Sequence, residues 1–129
     1  MFIFVLLGTN SLKDEKNKFD PYSDSSLVLK HLKDISRFVV LAEQKCSFVR
    51  VVPFAIGITT NSKYRHRYEN FVNAAIVFKI PVLSLESAFQ DYKFSDLRVN
   101  KLDGHPNELA NSVAAKETAR QIFRDMKGI

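Results

Sequence analysis

Two short stretches of this 129-residue chain carry side chains that could do chemistry: Asp103-Gly104-His105-Pro106-Asn107, with an acid–base pair, and Gly8-Thr9-Asn10, with a hydrogen-bonding amide. The first sets a carboxylate and an imidazole in one tight turn, a pairing able to move protons near neutral pH. Gly104 can take backbone angles closed to other residues, and Pro106 fixes the chain as it enters a helix. The ring of His105 is therefore held on a stiff loop. The second stretch leaves a hydrophobic strand and ends in the side-chain amide of Asn10.

The elements around these stretches must bring them together. Asn107 is a good N-cap, and Leu109, Val113, Ala119, Ile122, Phe123 and Met126 recur at helical spacing, which predicts an amphipathic helix from about 107 to 127. Phe2 to Leu7 reads as a strand apolar on both faces, followed by a charged loop over residues 11 to 24. Val28, Leu32, Ile35, Val39 and Ala42 predict a helix that starts at Ser25 or Ser26 and ends near Cys46. Phe48 to Phe54, stopped by Pro53, is the second strand and opens into Ala55 to Asn61. A helix from about Ser62 to Lys79 presents Tyr64, Tyr68, Phe71, Val72, Ala75 and Ile76 on one face, and Pro81 to Leu85 is the third strand. Phe38, Phe78 and Phe94 fall off the main apolar stripes and are candidates to cover a neighbour or an interface.

This alternation predicts one α/β domain over residues 1–129: three layers, a parallel sheet with helices on both faces. In such a sheet the crevice lies at the carboxyl ends of the strands, so Asn10 and His105 are expected to face one another across it.

Composition narrows the classes. A hydrophobic content of 46% with 26% charged residues describes a globular domain, not a disordered one. The net charge of +5 is spread along helices as a solvated surface, which argues against nucleic acid as the partner. The run Lys63 to Tyr68, with His66, and the lone His31 read as solvated helix faces. Cys46, the one cysteine, excludes an intrachain disulfide and a multi-cysteine metal site, and its place at the end of an apolar helix pattern predicts burial. The apolar run at residues 2–7 is too short to span a membrane and lacks the basic front and cleavage site of a signal peptide, so the default compartment is the cytoplasm.

Phe4-Val5-Leu6-Leu7-Gly8-Thr9-Asn10 resembles the third sequence block of SGNH (GDSL-type) esterases and lipases, and Pro81 to Leu85 followed by Asp103-Gly104-His105-Pro106 resembles their last strand and fifth block. The resemblance implies a flavodoxin-like, SGNH-hydrolase-like sheet lacking its first strands. It also implies ester hydrolysis through an acyl-enzyme, with no metal and no cofactor. His105 would be the base, Asp103 the group that orients it, and Asn10 with the Gly8 backbone the oxyanion donors. The family's Gly-Asp-Ser block has no counterpart here, and Ser11 and Ser84 do not occupy a nucleophile turn. The nucleophile is thus expected from outside this chain, which would be inactive alone and would meet a small-molecule ester only when completed by an N-terminal segment. Its first strand would then present an open edge for association with another chain. Two other classes are compatible with the residues: a non-catalytic binding or assembly module of the same fold, and a flavodoxin-like domain holding a phosphorylated ligand at Gly8-Thr9-Asn10.

Overall fold

A computed structural model describes residues 2–8, 25–54 and 62–128. Thr9, Asn10, Ser11, the charged loop and the Ala55 to Asn61 loop lie outside the described residues, as do the side chains of Tyr64 and His66. The order is β1 (Phe2–Gly8), α1 (Ser25–Glu43), β2 (Phe48–Phe54), α2 (Ser62–Val77), two single-turn helices α3 (Glu86–Phe89) and α4 (Phe94–Leu97), and α5 (Glu108–Lys127).

The expected three-layer parallel sheet, flavodoxin-like or SGNH-like, is not formed among the described residues. Among the described residues the ladder has two strands, β1 and β2, parallel and in register from Phe2 opposite Phe48 to Gly8 opposite Phe54. Helix dominates the rest. The segment predicted as a third strand makes one bridge, Val82 to Val51, through Val51 N–H to the Pro81 carbonyl at 2.8 Å and Leu83 N–H to the Val51 carbonyl at 2.9 Å. Two prolines explain why it stops there. Alternate residues of a strand address the same neighbour, so the next bonds in this ladder would need N–H donors from residue 53 on one side and residue 81 on the other. Both are proline and have none. The chain turns into α3 instead.

The alternating side chains of β2 divide the core. Val49 and Val51 join Leu32, Ile35, Val39, Ala42 and Cys46 of α1 and its exit, Phe71 and Ala75 of α2, and Ile80. Val52 joins Leu83, Leu85, Phe89, Leu97, Ala110 and Ala114, with Phe54 packed against them and its ring 6.0 Å from that of Phe89. Tyr68 is buried as its spacing predicts, whereas Ile76, expected on the same face, is 65% exposed. Of the three off-stripe phenylalanines, Phe78 and Phe94 pack against the two clusters and Phe38 stays exposed.

The predicted apolar face of α5 holds at Val113 and Ile122, which pack against the second cluster, and is corrected elsewhere. Leu109, Phe123 and Met126 are exposed, and the helix buries Ala110 and Ala114. Farther along, Gln121 donates to the Ser84 carbonyl at 2.7 Å, and Asp125 pairs with Arg50 of β2 at 3.2 Å. Small residues let the helix approach closely, and polar ones then reach backbone and charge that apolar side chains would leave unpaired.

Candidate functional site

Local hydrogen bonding builds the turn that carries His105. The Asn107 side-chain carbonyl accepts from Ala110 N–H at 3.0 Å and caps α5, while its amide nitrogen donates to the Asp96 carbonyl at 2.8 Å and the Arg98 carbonyl at 3.1 Å. One side chain thus starts the helix and ties it to α4. Backbone bonds from Asn107 to Leu97 and from Val99 to His105 close the base of the loop, with an antiparallel bridge between Arg98 and Pro106. At its tip the Asn100 carboxamide oxygen accepts from Leu102 N–H and Asp103 N–H, at 2.8 and 2.9 Å.

Within this frame one oxygen of Asp103 accepts from the His105 backbone N–H at 3.0 Å and from ring Nδ1 at 2.5 Å. A spacing of two residues is therefore enough for the side chains to meet. The carboxylate sets the Nδ1–H tautomer, which leaves Nε2 as the acceptor. Both side chains are open to solvent, at 55% for His105 and 43% for Asp103. Leu102, between Lys101 and Asp103, is 94% exposed, and Val99 is 53% exposed.

The packing of α5 places this loop. Ala110 and Ala114, near its start, share a cluster with Val52 and Phe54, and Asp125, near its end, reaches Arg50. The helix packs against α3 and α4 and reaches β2 through the Arg50 pair. Of the two predicted oxyanion donors, Gly8 pairs with Phe54 and Asn10 lies outside the described residues. Among the described residues no serine hydroxyl bonds to the His105 ring, and no group of three or more His, Cys, Asp or Glu side chains could hold a metal. Ser84, whose carbonyl takes the Gln121 bond, is occupied: its hydroxyl meets Tyr68 Oη at 2.7 Å and accepts from Glu86 N–H at 3.2 Å. Burial holds the Tyr68 phenol above its ordinary value.

Sequence reasoning located Asp103, His105 and the cap at Asn107, but missed Asn100 and the second role of Asn107. The signal for Asn100 was present, since Asn followed by a short polar run favours a side-chain-closed turn. No local pattern reports that the Asn107 amide crosses to residues 96 and 98. Compared with protein-family models, with curated proteins and with solved structures, the chain matches none. None of the described helices is long and apolar enough to cross a membrane.

Proposed function

We propose that the Asp103–His105 pair is the base half of a serine-type ester hydrolase of the GDSL kind. The supporting observation is the bond from His105 Nδ1 to the Asp103 carboxylate, which leaves Nε2 unblocked on a loop fixed by Asn100 and Asn107. In this reading Nε2 takes the proton of a serine hydroxyl as it attacks the ester carbonyl, then returns it to the departing alkoxide. Asp103 holds the ring and balances its positive form. Gly8 N–H and the Asn10 amide donate to the tetrahedral oxyanion, each worth on the order of a hundredfold in rate. The serine comes from a Gly-Asp-Ser segment outside this chain.

The exposure of the pair favours a second reading, in which the turn is part of a non-catalytic binding or assembly module. A fluorophosphonate probe separates the two. Joined to a Gly-Asp-Ser segment, the chain is expected to label at the supplied serine, and to lose labelling in His105→Ala and most of it in Asn10→Ala. An unlabelled fusion, or labelling indifferent to His105, sinks the hydrolase reading.

A further inference from the structure

Helix α1 carries two seams of identical spacing, offset by one residue, the first apolar throughout and the second apolar around a central His–Asp pair. Val28, Leu32, Ile35, Val39 and Ala42 recur at intervals of four and three and face the core. Leu27, His31, Asp34, Phe38 and Leu41 recur at the same intervals but face outward, with Leu27 38%, Phe38 43% and Leu41 62% exposed. This second stripe has the heptad periodicity of a helix-pairing seam. Helix α2 does not cover it, because α2 meets the opposite flank of α1, where the Ser36 hydroxyl donates to the Phe78 carbonyl at 3.4 Å.

We propose that this seam pairs with the same seam of a second copy of the chain, the two α1 helices lying antiparallel about a two-fold axis between Leu32 and Lys33. The argument is the order of residues along it. From Leu27 to Phe38 the seam reads apolar, cation-forming, anionic, apolar, with spacings of four, three and four that are the same in both directions. An antiparallel two-fold pairing centred on that palindrome sets Leu27 against Phe38 of the other copy and His31 against its Asp34, each contact made twice. The neighbouring heptad register sets Asp34 against Phe38 and His31 against Leu41, stranding polar groups on apolar ones. The His31 and Asp34 positions therefore specify register, as polar residues in helix seams do. Antiparallel alignment also places each helix N-terminus beside the other's C-terminus.

Sedimentation of the full chain over a concentration series tests this pairing. A monomer–dimer equilibrium is expected. Phe38→Glu should leave monomer at every concentration. Asp34→Lys, which opposes His31 with a cation at both contacts, should weaken dimerisation about tenfold or more. The exchange of His31→Asp with Asp34→His in one chain should restore it, since the pairing is reciprocal. All the substituted side chains lie outside the buried core, and helical circular dichroism establishes that each variant folds. A chain that is monomeric throughout, a dimer unaffected by Phe38→Glu, or an exchange that fails to restore what Asp34→Lys loses overturns the proposal. The second of these outcomes points to another surface, the outer edge of β1 among them.

Discussion

Helices α1 and α5 are close in length, 19 and 20 residues, and are attached to the molecule in different ways. The first is held mainly by apolar burial, through Leu32, Ile35, Val39 and Ala42, with one long side-chain bond from Ser36 to the Phe78 carbonyl. The second buries two alanines, with Val113 and Ile122 packed half-buried against the same cluster, and adds directional bonds: Asn107 to Asp96 and Arg98, Gln121 to Ser84, and Arg50 to Asp125. Burial is strong but sets position loosely, whereas a hydrogen bond weakens steeply when its geometry shifts. The helix fixed by geometry is the one whose N-terminal turn carries Asp103 and His105.

The contrast predicts where stability and where placement reside. Leu32→Ala should have the largest effect, about 2–5 kcal/mol lost by denaturant unfolding, because it opens a cavity at a fully buried position. Asn107→Ala should cost about 2–3 kcal/mol, from a lost cap and two crossing bonds, and should also release the loop, seen as faster amide exchange at Val99 and His105. A large stability loss with unchanged exchange at those amides would break the comparison.

Acid should act on α5 before α1. The hydrogen bond from Arg120 holds the Glu117 carboxyl below the ordinary glutamate range, against the opposing effect of burial, and Gln121 adds to the lowering. A depressed folded value contributes stability above the unfolded value, and that contribution fades as pH falls through the folded one. Unfolding measured from neutral pH into acid should show this loss, and Glu117→Gln should flatten it. Arg50→Met should give the smallest effect, about 1 kcal/mol, since its pair with Asp125 is partly solvated and the guanidinium's contact over the Phe48 ring, 4.0 Å from its centroid, is a modest further loss. A larger cost would mean that the charge pair, and not Asn107 or Gln121, anchors α5.

How far the sequence anticipates this molecule follows the same division. The core face of α1 is legible because burial imposes a periodic apolar pattern, and Leu32, Ile35, Val39 and Ala42 display it without interruption. The contact face of α5 is legible only at Val113 and Ile122, because alanine, glutamine and aspartate carry no hydrophobic signal, while the conspicuous Phe123 and Met126 are exposed. The missing third strand has a different cause. Pro81 and Pro53 are visible in the sequence, but only the pairing to Val51 shows that both fall where a donor is required. At the candidate site the residue types announced Asp103, His105 and the Asn107 cap. The contacts that fix the loop run between residues whose spacing has no local signature.

Cys46 closes the first core at the exit of α1, is 4% exposed and is the only thiol in the chain. A thiol reagent reaches so buried a side chain through a local or global opening of the first core, to which the exit of α1 belongs. The molecule therefore carries its own chemical clock. The rate at which Cys46 is modified in native buffer counts the openings of that core, with no label introduced and no substitution made.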